Sequence, residues 1–403
     1  MNGPVKRQIL PLPWWLPLWL VMVLVGCGDG GETPPPPPLT PTPSGSFTPA
    51  SASNPAPPTR PAPPGSVQAM PADPPIGDPV AVDPAEVAHG IVVSCRRNGP
   101  GEWDGPDMQP LLEHLQPLGV DAIQVHPYAA VSRDGGIYYQ PRRVESATIQ
   151  PLRLARQQGM TAFLKPHLAY WGSGFGWRGE ITFDRPEQWE RFFAGYRDFI
   201  LHQARCAQQA DAQVFAVGTE LDRTLVHEDR WRQLIAEVRG VYDGKLTYAA
   251  NWDDVHRVGF WDALDYVGIQ AYYPLTDARP PSDDQLRQSW DRLVDRFAAL
   301  ARQHGRPVLL TELGYAVSEA AADQPWADHA VGDSAAGAEL KLRCMRIALA
   351  AIDDQPHLAG VYLWKWFPDN REQNREFTLQ YDAMRNVIAE AWSRHADAGP
   401  VDD

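Results

Sequence analysis

Short apolar segments alternate with amphipathic segments through most of this 403-residue chain. Eight of the apolar segments have the length and composition of buried strands, and they cover residues 90–95, 122–126, 162–165, 214–217, 246–249, 266–271, 308–312 and 360–364. Strands that alternate with helices form parallel sheets, and eight such units in roughly 300 residues close into a barrel more readily than they form an open sheet. The sequence therefore predicts an α/β fold, a (β/α)8 TIM barrel.

Two of the intervening segments have the clearest helix patterns. One begins at the capping box Ser282-x-x-Gln285, and its apolar residues recur at three- and four-residue steps. The other begins at Pro186 and has aromatic residues along one face. Gly159 and Gly244 are expected to close helices just before strands.

An open, doubly wound sheet is the alternative fold. Such a sheet usually carries a Gly-rich phosphate-binding loop after its first strand. Here the first strand is followed by residues 96–101, Arg-Arg-Asn-Gly-Pro-Gly, which we interpret as an ordinary loop.

The amino terminus has the pattern of an export signal. Lys6 and Arg7 precede an apolar stretch over residues 9–25, and residues 24–27, Leu-Val-Gly-Cys, resemble a bacterial lipobox. This predicts a lipoprotein signal peptide over residues 1–26 and a lipid-modified Cys27. An uncleaved membrane anchor is the competing interpretation. Either one predicts an exported protein tethered to a membrane of the bacterial cell envelope, on its periplasmic or extracellular face.

A Pro-rich stretch separates this signal from the periodic domain. Residues 27–84 are rich in Pro, Ala, Ser and Thr, with little to bury, and are predicted to be a disordered linker. A chain of this kind spans ~3 Å per residue, so its predicted role is to hold the domain away from the membrane. The folded domain is predicted over residues 85–393, followed by a disordered tail over residues 394–403.

The composition restricts the class of partner. The net charge of −14 argues against a nucleic-acid partner, because phosphate binding needs a basic surface. The 15 Trp residues suit a sugar ligand, because aromatic faces stack on the apolar faces of sugar rings, although core packing also accounts for many of them. We expect a monomer that binds a polysaccharide or oligosaccharide.

The cysteines and histidines predict neither a metal site nor a cofactor. With Cys27 committed to lipid, Cys95, Cys206 and Cys344 remain, without paired metal-type spacing. Three buried free thiols are expected, and one disulfide is the alternative. A metal-dependent barrel hydrolase would have a His-x-His pair on its first strand, and the sequence contains no such pair.

Two glutamates end apolar strand candidates. Glu220 follows the fourth strand in Val217-Gly218-Thr219-Glu220, and Glu312 ends the seventh within Val308-Leu309-Leu310-Thr311-Glu312. A carboxylate after so apolar a run is costly to bury unless it is paired or has a function. Because the working residues of a (β/α)8 barrel lie at the carboxyl ends of its strands, both glutamates are candidate catalytic residues. A structural ion pair is the alternative for either one alone.

Several short motifs resemble those of glycoside hydrolase family 113, the β-mannanase family, within the large clan of retaining glycoside hydrolases built on (β/α)8 barrels. The likeness covers residues 90–392, and its motifs are Lys165-Pro166-His167, Val217-Gly218-Thr219-Glu220, Tyr248-Ala249-Ala250-Asn251-Trp252, Gly268-Ile269-Gln270-Ala271-Tyr272-Tyr273-Pro274-Leu275, Thr311-Glu312-Leu313-Gly314-Tyr315 and Trp364-Lys365-Trp366-Phe367-Pro368.

The resemblance implies an endo-β-1,4-mannanase with Glu220 as the general acid/base and Glu312 as the nucleophile. Retention needs the two carboxyls ~5 Å apart, so that one attacks the anomeric carbon while the other protonates the departing oxygen. The resemblance also implies a Tyr at the end of the sixth strand that donates a hydrogen bond to the nucleophile. Tyr272 is favoured for that role, and Tyr273 is the alternative.

Other aromatic and polar residues at strand ends are candidate sugar contacts. Trp364 and Trp366 lie two residues apart, which predicts one strand face; Trp364 is the favoured sugar platform and core packing is the alternative. Asn251 and Trp252 close the fifth strand, with loop capping as the rival role for Asn251.

The third strand is followed by two more candidate site residues, and the fourth strand ends in a residue that differs from the pattern of the clan. Lys165 and His167 follow the third strand, where they are predicted to contact sugar hydroxyls or tune Glu220; a salt bridge is the alternative for Lys165. Many members of the clan have Asn before the acid/base glutamate to bind the sugar 2-hydroxyl, and this chain has Thr219 there. Two alternatives to a β-mannanase are a lipid-anchored, non-catalytic carbohydrate-binding or scaffold protein on the same barrel, and a glycosidase that acts on another β-glycan.

Overall fold

The computed structural model describes residues 80–96, 99–327 and 334–396. Its strands are β1 (Ala88–Val93), β2 (Ala122–Val125), β3 (Tyr128–Val131), β4 (Ile137–Tyr138), β5 (Thr161–Leu164), β6 (His167–Ala169), β7 (Val214–Thr219), β8 (Lys245–Asn251), β9 (Tyr266–Gln270), β10 (Val308–Leu313) and β11 (Leu358–Trp366). A closed barrel has the strand order β1-β11-β10-β9-β8-β7-β5-β2, with parallel neighbours. All eight predicted strands are in it, so the predicted (β/α)8 barrel is confirmed.

The helices are α1 (Met108–Leu115), α2 (Pro141–Gln157), α3 (Pro186–Gln209), α4 (Glu228–Arg239), α5 (Asp283–His304), α6 (Ala335–Ile352) and α7 (Asp382–Ala396). The predicted capping box begins α5, where the Gln285 backbone N–H donates to Ser282 Oγ at 3.2 Å. Gly159 follows α2 with φ +78°, as expected. The expectation for Gly244 is wrong, because α4 ends at Arg239 and Gly240 caps it.

A small second sheet, which the sequence pattern does not indicate, lies beside the barrel strands. Its order is β4-β3-β6, and β3 pairs with β6 in parallel so that Tyr128 is opposite His167. Strands of two to four residues are too short to show an alternating pattern in sequence. β6 comes directly after barrel strand β5, so this sheet extends the third strand of the barrel beyond its carboxyl end.

Two layers of apolar side chains make up the core. One cluster contains residues from many different barrel strands: Ala88, Val92, Ala122, Phe163, Val214, Ala216, Leu309, Ala359 and Tyr362. A larger cluster combines side chains of the strands with those of the helices. The Tyr362 ring lies over Gly90 of β1 and contacts Phe163, with ring centroids 5.1 Å apart.

The folded domain is slightly longer at both ends than predicted. The Val82 N–H donates to the Pro356 carbonyl at 2.8 Å, which attaches the last linker residues to the domain. At the other end α7 continues to Ala396, beyond the predicted boundary at residue 393. The predicted signal peptide, Cys27 and most of the linker lie outside the described residues, as do residues 397–403.

The structure also shows the length and polarity of the described helices and the state of the three cysteines. Within the part of the chain that the structure describes, no helix is long and apolar enough to cross a membrane. Cys95, Cys206 and Cys344 are free thiols, as expected; Cys206 and Cys344 are buried, whereas Cys95 is only partly buried.

We predict that Gly90→Ala destabilises the barrel. A Cβ at this position would overlap the Tyr362 ring, and relieving such overpacking in a core typically costs about 1–3 kcal/mol. Urea unfolding gives the free energy for the variant and for the control Gly101→Ala, whose Cβ would be 4.0 Å from the nearest atom outside its chain neighbours. Equal stability of the two variants would contradict the prediction.

Candidate active site

The two predicted glutamates lie at the same end of the barrel. Glu220 directly follows β7, and Glu312 is the second-to-last residue of β10, opposite Gln270 of β9. Because neighbouring barrel strands are parallel, their carboxyl ends meet at one rim. Glu312 is only 4% exposed, whereas Glu220 is partly exposed.

Two donors hold the buried Glu312 carboxylate. The Tyr272 hydroxyl donates to Glu312 Oε2 at 2.7 Å, and the Lys165 ammonium contacts Oε1. Lys165 is fully buried, and burial lowers its pKa while the Glu312 charge raises it. An ionised carboxylate accepts such bonds strongly, so this pairing offsets the cost of burying Glu312.

Gln270 completes the support of Lys165. The Gln270 side-chain oxygen accepts from Lys165 Nζ at 2.9 Å and from the Thr311 hydroxyl at 2.8 Å. Side chains from the ends of β9 and β10 therefore fix the ammonium group beside Glu312, and Lys165 itself follows β5.

His167 lies between the two glutamates. Its Nδ1 is 3.0 Å from an Arg178 guanidinium nitrogen, and its Nε2 is 3.9 Å from Glu312 Oε1. Burial, together with the Arg178 and Lys165 charges, holds the pKa of His167 well below its usual range, so the ring is neutral. Since Nδ1 accepts from Arg178, Nε2 carries the hydrogen, and it faces Glu312.

Glu220 occupies an unusual backbone conformation. Its φ is +51°, in the left-handed region that non-glycine residues seldom adopt and that is concentrated at functional sites. Its backbone N–H donates to the Ala249 carbonyl at 2.9 Å, and its side-chain Oε2 accepts from Arg178 at 3.1 Å. A neighbouring strand and a buried guanidinium thus fix both parts of the residue.

A continuous series of contacts connects the two carboxylates across the mouth of the barrel. It runs from Glu220 to Arg178 at 3.1 Å, from Arg178 to His167 at 3.0 Å, and from His167 to Glu312 at 3.9 Å. The structure therefore brings five side chains together at the mouth of the barrel. They are the carboxylates of Glu220 and Glu312, the Arg178 guanidinium, the His167 imidazole and the Lys165 ammonium, which contacts Glu312.

A buried third carboxyl lies close to Glu220. Burial, together with the carboxylates of Asp254 and Glu220, raises the pKa of Asp222 to about 9, so Asp222 is neutral at pH 7. Among the described residues, no group of three or more His, Cys, Asp or Glu side chains is arranged to hold a metal ion.

Of the two candidate tyrosines, Tyr272 contacts Glu312. The Tyr273 ring instead packs against Trp252 and Phe297, at centroid distances of 5.5 and 5.8 Å. Trp364 lies near the mouth, 5.2 Å from the His126 ring and next to the cluster that contains Tyr272.

Trp366 is not part of this site. It is fully buried, its indole N–H donates to Asn370 at 2.9 Å, and its ring lies 6.0 Å from His114 of α1. Val92 of β1 pairs with Trp364 and the next residue, Val93, pairs with Trp366, so one residue of β11 is bulged out. A bulge breaks the alternation of faces, which is why the expectation that Trp364 and Trp366 share a face is wrong.

Asn251 and Trp252 lie at the end of β8, beside the same mouth. Asn251 is buried, and Trp252 stacks on Trp326 with ring centroids 5.7 Å apart. Both indoles pack against the cluster that contains Tyr272. Trp326 lies just before residues 328–333, which are outside the described part.

The Thr219 hydroxyl is used within the fold. It is buried and donates to the Pro166 carbonyl at 3.2 Å. This bond links the ends of β7 and β5. The Thr219 hydroxyl proton is thus used within the fold.

Two members of the site were missed in the sequence. Arg178 follows the Gly-rich loop at residues 173–177, and nothing in this sequence context marks it as buried. Gln270 ends a predicted strand, so applying the strand-end criterion to amides as well as carboxylates would have found it.

The loop that follows β11 forms one wall of the mouth and is held from below by α6. Its Phe377 ring contacts Tyr272, with centroids 6.0 Å apart. The buried Lys341 ammonium donates to the carbonyls of Glu376 at 3.0 Å and Thr378 at 2.6 Å, on either side of Phe377. Lys341 thus fixes the backbone that places this ring beside Tyr272.

Comparison with known proteins identifies the family. The model of Glycoside Hydrolase Family 113 matches residues 96–382. A solved GH113 β-mannanase from Alicyclobacillus acidocaldarius, in complex with ManMIm, is 25% identical, with a TM-score of 0.64, over 77% of this chain and 97% of that one. A second GH113 β-1,4-mannanase structure is 22% identical, with a TM-score of 0.65, over 79% and 99% of the two chains.

More distant structures share the fold. A GH5_18 protein from Streptomyces cattleya, in complex with GlcNAc, is 15% identical, with a TM-score of 0.53, over 78% of this chain and 82% of that one. Comparison with curated protein sequences gives no match.

The barrel and the carboxylates at its mouth are those of a glycoside hydrolase. The chain belongs to glycoside hydrolase family 113. Its substrate class is accordingly a polysaccharide or oligosaccharide.

We predict that Lys341 makes the stability of the domain depend on pH. Burial lowers the pKa of the Lys341 ammonium to about 7, from an ordinary value of 10.5. Between these two values the unfolded chain binds the extra proton, so this residue makes the free energy of unfolding rise with pH. Conversely, its contribution is lost as the pH falls through about 7.

Urea unfolding at pH 7 and pH 9.5 of the wild type and Lys341→Met tests this prediction. The wild type should gain more stability over that interval than the variant. Lys245→Met is the control, because Lys245 is 61% exposed. The same gain in wild type and Lys341→Met would show that the amine is not the cause.

Proposed function

We propose that this glycoside hydrolase is a retaining endo-β-1,4-mannanase, with Glu220 as the general acid/base and Glu312 as the nucleophile. The observation that carries the proposal is the difference between the two carboxylates. Glu312 is buried and accepts from Tyr272 and Lys165, whereas Glu220 is partly exposed and contacts Arg178. The β-mannanases among the similar structures support mannan as the substrate.

In the first step, a Glu312 oxygen attacks the anomeric carbon while Glu220 gives its proton to the glycosidic oxygen, and the bond to the leaving sugar breaks. This step forms a glycosyl ester on Glu312. In the second step, Glu220 takes a proton from water, the water oxygen bonds to the anomeric carbon, and Glu312 leaves as a carboxylate. Two inversions at the same carbon give net retention.

The neighbours of the carboxylates have matching roles in this proposal. Tyr272 and Lys165 orient Glu312 and stabilise its negative charge before attack and after release. His167, as a neutral donor, and Arg178 position the two carboxylates relative to each other. We assign sugar stacking to Trp364 and Trp252, and a hydrogen bond with a sugar hydroxyl to Asn251.

Glu312→Gln and Glu220→Gln test the catalytic assignment. General acid–base catalysis contributes roughly 10²–10⁴-fold, so Glu220→Gln should lower kcat on soluble mannan by about that factor. Glu312→Gln should lose at least as much, because an amide does not act as the nucleophile. Glu187→Gln, in the first turn of α3, is the matched control and should keep full activity.

The release of reducing sugar from mannan, galactomannan, β-glucan and β-galactan measures both activity and substrate class. A non-catalytic binding protein would release no sugar in any form and would still retain a polymer on an affinity column. Faster cleavage of glucan or galactan than of mannan would contradict the assignment of mannan as the substrate. It would not affect the assignment of Glu220 and Glu312 as the catalytic pair. Full activity of Glu312→Gln would overturn the pair.

We also propose that the chain is exported and anchored through a lipid on Cys27. The support is the sequence: Lys6 and Arg7, the apolar stretch over residues 9–25, and Gly26 before Cys27. Two or more acyl chains would give stable attachment, and the Pro-rich linker would let the barrel reach polymers beyond the membrane.

Labelling of expressing bacteria with radioactive palmitate tests the anchor. Wild type and Cys95→Ser should carry the label in the membrane fraction, and Cys27→Ser should carry none. Equal labelling of Cys27→Ser, or an unlabelled wild type, would refute lipidation at this residue.

A further inference from the structure

A large aromatic side chain is exposed outside the catalytic mouth. Trp171 is 62% exposed, and it is the only tryptophan among the exposed large apolar side chains of the described residues. Removing the apolar surface of an indole from water is favourable, and Trp171 has not been buried by the fold. A ligand that covers this ring would therefore be stabilised by burying it.

Ring contacts connect Trp171 to the nucleophile side of the site. Its ring lies 5.3 Å from that of Tyr128, and the Tyr128 ring lies 5.3 Å from His167, which faces Glu312. Tyr128 and His167 are opposite residues of the paired strands β3 and β6. The small sheet therefore holds these rings in a fixed row that starts inside the mouth.

A second row of contacts connects Trp171 to the acid/base side. Its ring lies 5.4 Å from that of Tyr170, and the Arg178 guanidinium lies over the Tyr170 ring at 5.9 Å. Arg178 in turn contacts Glu220 at 3.1 Å. Both rows end at the same exposed indole, which makes it continuous with the space between the carboxylates.

We propose that the exposed face of Trp171 is an outer sugar-binding platform for a substrate chain that extends beyond the cleavage point. A β-linked glycan fits this surface, because each sugar ring presents apolar C–H groups on a face that stacks on an indole. The net charge of −14 disfavours a polyanionic ligand for the protein as a whole. The inference rests on the proposed function, since it requires that the ligand be the polymer cleaved between Glu220 and Glu312.

The platform makes activity depend on chain length. Only substrates long enough to reach Trp171 gain from it, and a short substrate at the cleavage point does not contact it. Binding energy at a remote sugar then raises kcat/KM for long chains selectively.

Trp171→Ala tests the platform against β-1,4-mannooligosaccharides from mannobiose to mannohexaose. The variant should lose roughly ten-fold in kcat/KM on mannohexaose, about 1.4 kcal/mol, and keep the wild-type value on mannobiose or the shortest substrate cleaved. Trp171→Tyr should restore most of the loss. Tyr138→Ala is the matched control, because Tyr138 is 56% exposed on β4 of the same sheet and should show no effect at any length.

Three results would overturn the inference. A loss of kcat/KM of equal size at every chain length would assign Trp171 a structural role. A loss of kcat/KM in Tyr138→Ala would show that the effect is not specific to Trp171. An unchanged kcat/KM of Trp171→Ala at every chain length would show that the indole does not bind the substrate. The exposed ring would then suit another partner, such as a membrane or a protein.

Affinity electrophoresis separates the inference from the proposed function. Gels containing mannan or β-glucan need no turnover, so they report binding even if wild type cleaves none of the oligosaccharides. Slower migration of wild type than of Trp171→Ala in one of the gels supports the platform. Equal migration of the two in every gel would overturn it.

Discussion

The buried contact between Lys165 and Glu312 is the interaction on which the site depends. Each charge alone would be costly at this depth, because neither is exposed enough for water to compensate it. Gln270 holds the ammonium and Tyr272 holds the second carboxylate oxygen, so the ends of three strands are fixed relative to one another. The same donors that make burial tolerable keep Glu312 in one orientation.

The two glutamates differ in ways that suit two roles. Glu312 is surrounded by donors, whereas Glu220 is partly exposed and is held by one guanidinium and a left-handed backbone. A neutral His167 lies between them and takes no charge of its own at neutral pH. The proposed roles of acid and nucleophile need unlike environments for the two carboxylates. Lys165, His167 and Arg178, which follow the third barrel strand, and Tyr272, which follows β9, make these environments different.

Strand periodicity predicted the barrel and both glutamates, because buried parallel strands are apolar runs whose ends are conspicuous. It did not predict the contacts that cross between loops. Arg178 is distant in sequence from Glu220, and the strands of the small sheet are too short to show a pattern. Trp366 was misplaced because the bulge in β11 reverses the faces after Trp364, and a bulge has no signature in one sequence.

The proposed cooperation of the two carboxylates has a direct readout in the stereochemistry of the product. Proton NMR can record the anomer that forms first from a β-1,4-mannooligosaccharide, before mutarotation mixes the two. We predict that the β-anomer forms first, because double displacement through a covalent intermediate on Glu312, with carboxyls ~5 Å apart, retains the configuration. Initial release of the α-anomer would mean a single displacement by water and would contradict it.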